Sequence, residues 1–281
     1  MTRFSVAILA FGELGLSAKT SLQSLRNIGP EEVFAICDES GEQWMRKNAD
    51  PELMQILHVY RPQENDLIEL NIHSNASTGY SEFGQERFIK LTTFKWDVIG
   101  HALETSNSDW VIFSDLDVIW LRRPQIDYSL LPKGVKVLAQ DDTPGLQIPP
   151  HFCTGIIFWK TKCGAEDHSR ELLKLQKTGI LSGSLIPDEP IFNRYFSQSQ
   201  AKQIQVQTLP RDQYIIGHRF FRTLLKANIS GVVAFHANYV VGETAKLRRL
   251  TAILSKNQGS ATWIFIGLLE FGKKLKVKLK R

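Results

Sequence analysis

The segment Trp110-Val-Ile-Phe-Ser-Asp-Leu-Asp-Val-Ile-Trp120 constrains the fold of this chain more than any other. Its first four residues are large, apolar and partly β-branched, which is typical of a strand covered on both faces. Such a strand belongs to a parallel sheet with helices packed on each side. Asp115 and Asp117 follow at once, although a buried strand has no room for unpaired carboxylates. The sequence therefore predicts that the strand ends near Ser114 and presents both acids beyond its carboxyl end.

Two carboxylates in this position suit a metal site. Open α/β sheets bind their ligands in the crevice beyond the carboxyl ends of the strands. Carboxylate oxygens hold hard divalent cations, and a cation held there can bind a diphosphate. An aspartate after a strand also forms Asx-turns, which use the side chain only for local hydrogen bonds. The pair Asp115 and Asp117 alone leaves both interpretations open.

The periodicity of apolar residues alternates between strands and helices along the chain. Strands are predicted at 4–11, 33–37, 110–114, 135–139, 156–159 and 232–235, and helices at 14–28, 85–103 and 166–176. The strand at 135–139 closes on Asp141 and Asp142, and a loop rich in Pro and Gly is predicted at 143–150. Repeated strand and helix units predict an α/β fold with a mostly parallel sheet in a single domain. We predict that this domain spans residues 1–252 and that residues 253–281 form an apolar and then polybasic tail.

Positive charge is concentrated in residues 273–281. The 281 residues have a formal net charge of +5, but this last segment holds six Lys and Arg residues and no acid. The rest of the chain therefore has a net charge of −1. A nucleic-acid-binding protein carries its basic residues over a whole face. We therefore expect no nucleic acid among the partners.

The residues just before the basic segment, Trp263-Ile-Phe-Ile-Gly-Leu-Leu-Glu-Phe271, are apolar and aromatic. An apolar segment beside a polybasic run fits an anionic membrane surface, at about 1 kcal/mol per basic residue. A solvated, disordered basic end is the alternative. The first apolar run, 6–11, is too short for a signal peptide, and the 3 cysteines have no disulfide or metal-ligand pattern. The sequence predicts a cytoplasmic protein, with the tail favouring the inner face of a membrane.

Four motifs occur in order along the chain. They are Asp115-Leu-Asp-Val-Ile-Trp-Leu-Arg-Arg-Pro124, Cys153-Thr-Gly-Ile-Ile-Phe-Trp159, Asp188-Glu-Pro-Ile-Phe-Asn193 and His236-Ala-Asn-Tyr-Val-Val-Gly-Glu-Thr-Ala-Lys246. Together they resemble the nucleotide-diphospho-sugar transferase family, glycosyltransferases of the GT-A fold. The resemblance covers roughly residues 80–250 and implies a Rossmann-like, mostly parallel sheet flanked by helices. The chain departs from the family's pattern at Cys153, where Asn is common, and at Glu189, where Gln is common.

The resemblance implies a metal site built from two of the motifs. Asp117 and His236 would bind the metal directly, and Asp115 would share the metal or contact the ribose. An imidazole among carboxylates mildly favours Mn²⁺ over Mg²⁺. Gly242 would let the backbone approach a diphosphate, and Lys246 would place a positive charge beside it. Taken by itself, His236 also fits a hydrogen-bonded histidine of the core.

The resemblance also implies a donor site. The nucleoside would lie at the ends of the first two strands, and a lysine and further acids would contact the rest of the donor. These residues are Ala10, Phe11, Gly12, Asp38, Lys95, Asp141, Asp142 and Asp188. Alternatively, Lys95 belongs to the solvated face of a helix, and Asp188 caps one.

The implied reaction is the transfer of a hexosyl or pentosyl group from a UDP-sugar to a glycan or a lipid-linked acceptor. The last motif is similar to that of retaining relatives, so we predict retention, and Asp188 is the acid to test first beside Asp115 and Asp117. One rival hypothesis is a degenerate transferase that binds sugar nucleotides or glycans without turnover. The other is a haloacid-dehalogenase-like phosphatase, because its first motif resembles residues 113–119. That fold usually carries this motif on its first strand.

Overall fold

The computed structural model describes residues 2–70, 72, 85–127, 130–143 and 150–278. Strands and helices alternate along this part of the chain. The strands are β1 Phe4–Ala10, β2 Glu32–Cys37, β3 Leu57–Tyr60, β4 Trp110–Ser114, β5 Val118–Trp120, β6 Val137–Asp141, β7 Phe152–Lys160, β8 Val206–Thr208, β9 Tyr214–Ile215 and β10 Ala234–His236. The α-helices are α1 Leu16–Ser24, α2 Glu39–Asn48, α3 Pro51–Gln55, α4 Glu64–Glu69, α5 Glu86–Thr105, α6 Ala165–Leu181, α7 Asp188–Ser197, α8 Gln200–Gln203, α9 Phe220–Leu225, α10 Glu243–Asn257 and α11 Thr262–Lys278.

Seven of these strands form the main sheet, in the order β3-β2-β1-β4-β7-β6-β8. All neighbouring pairs are parallel except those that β7 makes with β4 and with β6. As a result β1, β2, β4 and β6 end at one edge of the sheet, and β7 begins there. This edge brings together Phe11, Asp38, Asp115 and Asp142, each of which follows one of the four strands. The mostly parallel α/β sheet confirms the predicted fold class.

Both faces of the main sheet are covered, as expected for apolar strands without polar alternation. Val6 and Ile8 of β1 point to a hydrophobic cluster that includes residues of α1 and α2. Ala7 points to the opposite cluster, which includes large side chains of α5 and α7 such as Trp96 and Phe192. The sheet is therefore the central layer between two sets of helices.

A second, three-stranded sheet brings a late part of the chain back to Asp115 and Asp117. Its order is β5-β10-β9, with β5 antiparallel and β9 parallel to β10. The register places His236 opposite Val118, the residue after Asp117. Leu250 of α10 and Ile266 of α11 pack in the cluster that covers this sheet. The small sheet thus carries the histidine to the two aspartates.

Several element boundaries differ from those predicted. β7 begins at Phe152, so Cys153, Thr154 and Gly155 lie within the strand. β6 extends to Asp141, two residues beyond the predicted end at 139. The helix predicted at 14–28 is α-helical only over Leu16–Ser24 and continues as a 3₁₀ turn. The polar residues at the ends of β6 and β7 pair within the sheet, so apolar periodicity does not reveal these strand ends. Most of the loop predicted at 143–150 lies outside the described residues.

Helix α11 occupies most of the predicted tail. It packs against α10, with which it shares the cluster around the small sheet. Among the described residues, no helix is long and apolar enough to cross a membrane. The division of the chain at residue 252 stays a prediction.

Candidate metal centre and donor cleft

Main-chain hydrogen bonds hold the turn that carries Asp115 and Asp117. The Asp115 N–H donates to the Gly155 carbonyl at 2.9 Å, and the Val118 N–H donates to the Asp115 carbonyl at 3.2 Å. On the other side, the Ala237 N–H donates to the Asp117 carbonyl at 2.9 Å. The turn therefore does not depend on the two carboxylates, which face the cleft.

His236 joins the two carboxylates. The residue ends β10 and is 4% exposed. Its Nε2 lies 3.1 Å from Asp117 Oδ1 and 3.8 Å from Asp115 Oδ2. One ligand atom from each of the three residues lies within 4.8 Å of the others. Ligands of one Mg²⁺-sized ion sit at about 2.1 Å from it and hence about 3 Å apart, so this donor set fits a divalent cation.

Gly155 makes room for the imidazole. A Cβ atom at this position would lie 2.1 Å from Cε1 and 2.5 Å from Nδ1 of His236. Atoms that are not bonded approach no closer than roughly 3.5 Å without repulsion. Because Gly155 also accepts the Asp115 N–H, one residue of the second motif positions both a carboxylate and the imidazole.

Helix α10 brings a positive charge to the group. Gly242 precedes the helix with φ of 91°, a backbone conformation that residues other than glycine rarely adopt. Lys246, at the start of the helix, places Nζ 2.7 Å from Asp117 Oδ2. The motif at 236–246 therefore supplies the centre with a ligand atom from His236 and a positive charge from Lys246.

These neighbours shift the pKa values of the group. Burial alone would raise the pKa of Asp117, but Lys246 and His236 outweigh it and hold this pKa well below its usual range. Burial raises the pKa of Asp115, and the charge of Asp117 raises it further. The neighbours of Asp117 thus favour its charged form, and a cation between the two acids would relieve their repulsion.

Lys95 is buried, so its assignment to a solvated helix face is wrong. Its side chain is 3% exposed, and Nζ lies 2.5 Å from Asp188 Oδ2 and 3.6 Å from Asp115 Oδ1. The Thr154 hydroxyl donates to the same oxygen of Asp188 at 2.6 Å. Asp188 is the first residue of α7 and follows the N-cap Pro187, so it does not cap the helix. A lysine and two acids from three elements meet beside the metal centre.

Asp141, the last residue of β6, and Asp142 after it are held by partners that follow β8, β9 and β10. Arg211 binds the Asp141 carboxylate through two nitrogens, one of them 2.9 Å from Oδ1. Tyr239 donates its hydroxyl to Asp142 Oδ2, and His218 Nδ1 lies 3.4 Å from Oδ1. Asp142 Oδ1 is buried without a hydrogen bond among the described residues. Of the two acids, Asp141 is the more fully bonded.

The residues predicted for the nucleoside lie at the ends of β1 and β2. Asp38 Oδ1 accepts the Gly12 N–H at 2.8 Å and the Gly41 N–H at 2.7 Å, so this carboxylate caps α2 and shapes the loop after β1. Phe11 stacks on Phe94 with ring centroids 5.5 Å apart, and Ala10 is fully buried. The loop at 11–12 is therefore held in place beside the cleft.

Several residues of the cleft were not singled out from the sequence. Thr154 lies in the motif at 153–159 and Tyr239 in the motif at 236–246, so membership of these motifs could have indicated both residues. Arg211 follows Pro210 in a loop, and nothing in its neighbours indicates that it binds Asp141. Glu243 accepts hydrogen bonds from the Ser17 N–H at 2.5 Å and the Ser17 hydroxyl at 2.6 Å, which ties the start of α10 to the start of α1.

Comparison with known proteins identifies the fold and the family. A family model described as nucleotide-diphospho-sugar transferase matches residues 32–250. A search of curated proteins gave no significant sequence match. Mouse xyloside xylosyltransferase 1, in its apo form, is similar with a TM-score of 0.51 and 11% identity, over 85% of this chain and 99% of that one.

Two further solved structures have the same fold. A glycosyltransferase involved in glycosylation of the major capsid of PBCV-1 has a TM-score of 0.52 and 10% identity, over 89% of this chain and 97% of that one. GlyE of Streptococcus pneumoniae TIGR4 has a TM-score of 0.52 and 13% identity, over 98% of this chain and 64% of GlyE. At these identities the likeness concerns the GT-A fold alone.

Proposed function

The chain belongs to the nucleotide-diphospho-sugar transferase family and is a glycosyltransferase, and we propose that it moves a hexosyl or pentosyl group from a UDP-sugar with the help of Mn²⁺ or Mg²⁺. The acceptor in this proposal is a glycan or a lipid-linked glycan, and the anomeric configuration is retained. The family excludes the phosphatase hypothesis.

The observation that carries the proposal is the convergence of Asp115, Asp117 and His236 with Lys246 at one point of the cleft. Asp117 and His236 would bind the cation, and Asp115 would share it or contact the ribose. A bound divalent cation acts as a Lewis acid on the diphosphate that leaves the sugar. Lys246 adds a second positive charge to the same group, because its Nζ already lies 2.7 Å from Asp117.

The donor nucleoside lies against the ends of β1 and β2 in this proposal. Phe11 and Gly12 form the wall, with Ala10 beneath them, and Asp38 holds the loop through the Gly12 N–H. Gly242 lets the backbone near the start of α10 approach the diphosphate. These residues bind and orient the donor and do not take part in bond changes.

Asp188, Lys95 and Thr154 lie on the side of the donor sugar. The Asp188 oxygen that binds Lys95 and Thr154 is a poor nucleophile, because both partners stabilise its charge. We therefore assign Asp188 to orienting the sugar, with Asp141 and Asp142 further along the same edge. The bond from the anomeric carbon to the diphosphate breaks as the acceptor oxygen forms a bond on the same face, and the acceptor proton passes to the leaving diphosphate.

Helix α11 would attach the enzyme to an anionic membrane leaflet. Five large apolar side chains on this helix are exposed by 45–66%: Ile264, Phe265, Leu268, Leu269 and Phe271. Ile266 and Glu270, at the positions between them, are buried against the domain. The basic residues of 273–281 follow directly. An apolar helix face next to a run of positive charges binds anionic bilayers by insertion and by electrostatic attraction.

Incubation of the purified chain with a panel of sugar nucleotides tests the proposed reaction. We expect slow hydrolysis of one UDP-sugar in Mn²⁺, which stops with a chelator and returns when Mn²⁺ is restored. Donor binding at 100 times its dissociation constant should stabilise the fold by about 2.7 kcal/mol, which thermal unfolding detects. Stabilisation without turnover would support the non-catalytic hypothesis, and turnover that ignores the chelator would exclude metal dependence. NMR of the product shows the anomeric configuration.

A further inference from the structure

Gln140 is a buried polar residue that the proposed reaction does not use. It lies next to the end of β6 and is fully buried. The pairing of β6 with β7 shifts between Ala139 and Gln140, from Ile157 opposite Ala139 to Cys153 opposite Gln140. Irregularities of this kind re-aim side chains beside functional sites. Here the shift accompanies a side chain that reaches the second sheet.

The amide of Gln140 is oriented by β9. Its Nε2 donates to the Ile215 carbonyl at 3.1 Å and lies 3.5 Å from the Tyr214 carbonyl. Its Oε1 therefore faces the other way, 3.0 Å from His236 Nδ1. An amide oxygen only accepts hydrogen bonds, so the proton of the imidazole lies on Nδ1. Nε2, the ring nitrogen left to bind a cation, faces Asp117 and Asp115 at 3.1 and 3.8 Å.

We propose that Gln140 is a positioning residue that fixes the tautomer and ring orientation of His236 for metal binding. This inference rests on the proposed metal dependence of the enzyme. The partner of the second ring nitrogen sets the tautomer of a histidine ligand, and its loss typically costs 10–100-fold in metal affinity. Cys153 Sγ also lies near Nδ1, but at 3.6 Å, and sulfur is a weak acceptor. Gln140 is therefore the group that holds the ring.

Two variants separate the acceptor role of Gln140 from its role in packing. Gln140→Met keeps the length of the side chain but removes the acceptor. Gln140→Glu keeps an acceptor for Nδ1 and loses the donor to the Ile215 carbonyl. Gln176→Met is the matched control, because Gln176 is also fully buried and bonds Trp96 Nε1 at 2.7 Å, away from the metal centre. All three changes are expected to lower thermal stability.

Titration of the full chain with Mn²⁺ alone, followed by electron paramagnetic resonance of the free ion, gives the affinity without any donor. For Gln140→Met we expect the dissociation constant to rise about 10–100-fold. For Gln140→Glu and Gln176→Met we expect a change of at most about threefold, because the first keeps an acceptor for Nδ1 and the second leaves the partner of His236 in place. Unchanged affinity in Gln140→Met would overturn the inference, as would an equal loss in either of the other variants.

A measurement on the unmodified chain keeps the inference testable if Gln140→Met does not fold. Nitrogen-15 NMR of the protein saturated with Zn²⁺ should show the His236 proton on Nδ1 and the metal on Nε2. The reverse assignment would overturn the role of Gln140 and leave the proposed function intact. If the unmodified chain binds neither Mn²⁺ nor Zn²⁺, the metal dependence in the proposed function fails as well.

Discussion

The candidate metal centre and helix α11 differ in how far the protein itself pairs their charged and apolar groups. In the centre, Asp117 is 13% exposed and has Lys246 at 2.7 Å and His236 at 3.1 Å, so the fold itself supplies the neighbours of this anion. On α11 only the inner face is satisfied by the protein, through Ile266 and through Glu270, whose Oε1 lies 2.8 Å from Arg248 Nε. The outer face is apolar and exposed.

The two regions therefore differ in what they require from a molecule outside the chain. The centre is preorganised, so a ligand has only to enter a site whose groups are already held, which is the arrangement that stabilises a transition state. The outer face of α11 gains stability only when something covers it, because exposed apolar surface of this size is unfavourable in water. The first region should therefore control chemistry, and the second should control location.

Asp117→Asn is expected to have the largest effect. The change removes the negative charge that Lys246, His236 and a bound cation share, so turnover should fall by about 10³-fold or more. Initial rates of donor consumption measure this, with thermal unfolding to show that the fold persists. Asp167→Asn is the matched control, because that acid is 74% exposed on α6. Turnover like that of the unmodified chain would exclude Asp117 as a ligand.

His236→Ala should lower turnover by about 10²-fold, because a metal site that loses one of its ligands still has the others. Excess Mn²⁺ should restore part of the activity, since Asp115 and Asp117 remain. The rate is measured against Mn²⁺ concentration. His58→Ala, at a histidine that is 54% exposed, should behave like the unmodified chain. Full activity of His236→Ala at low Mn²⁺ would assign His236 to the core.

Lys246→Met should lower kcat by about 10-fold to 10²-fold and also raise the donor KM, because the charge on the leaving oxygen grows toward the transition state. Steady-state kinetics with varied donor separate the two parameters. Lys256→Met removes a lysine near the other end of α10 and should leave both unchanged. A change in stability alone would make Lys246 a structural residue.

Replacing Phe265 and Leu268 with serine tests the outer face of α11. Burial of a large apolar side chain is worth about 1.5–3 kcal/mol, so sedimentation with anionic vesicles should weaken at least about 10-fold while donor hydrolysis stays the same. Leu175→Ser with Leu181→Ser, two exposed leucines of α6, is the control. Salt should weaken binding of the unmodified chain, since the Debye length is only about 8 Å at physiological ionic strength.

The unmodified chain is also informative by itself. If it ignores anionic vesicles at low salt, the membrane proposal is wrong and the outer face of α11 requires another partner. Point changes are preferable to deletion of residues 262–281, because Ile266 lies in the hydrophobic cluster of the domain and deletion would expose it.

Glu270→Gln should have the smallest effect and should change stability alone. Glu270 is 8% exposed and lies 2.8 Å from Arg248 Nε and 3.9 Å from Arg249 Nε. Loss of its charge should lower the free energy of unfolding by about 1–3 kcal/mol, measured by chemical denaturation. Glu104→Gln, at a pair with Arg170 in which both side chains are exposed, should change it by less than about 1 kcal/mol. Equal effects would mean that α11 is loosely attached.

The parts of the fold that were predictable are those where one residue type implies one environment. The apolar run at 110–114 has to be buried, and Asp115 cannot continue such a strand, so both the strand and its end could be located. His236 and Lys246 were assigned through the order of the motifs, because neither has a local pattern of its own.

The remaining features depend on contacts between distant residues. Gln140 meets His236, and Arg211 meets Asp141, through side chains that local sequence does not connect. The inner face of α11 could not be predicted either. Residues 263–271 are apolar on almost every side of the helix, so periodicity does not distinguish a buried face from an exposed one. Only the packing against α10 distinguishes Ile266 from Phe265.

The absence of a side chain at Gly155 has a consequence for how this sequence can change. Every amino acid one nucleotide away from a glycine codon carries a Cβ atom, and a Cβ here would lie 2.1 Å from the His236 ring. A Cβ built on Gly231 has no atom within 4 Å, so that glycine does not share this constraint. In a saturation library, codon 155 should therefore tolerate only synonymous changes, and a selected lineage can leave this state only after His236 has moved.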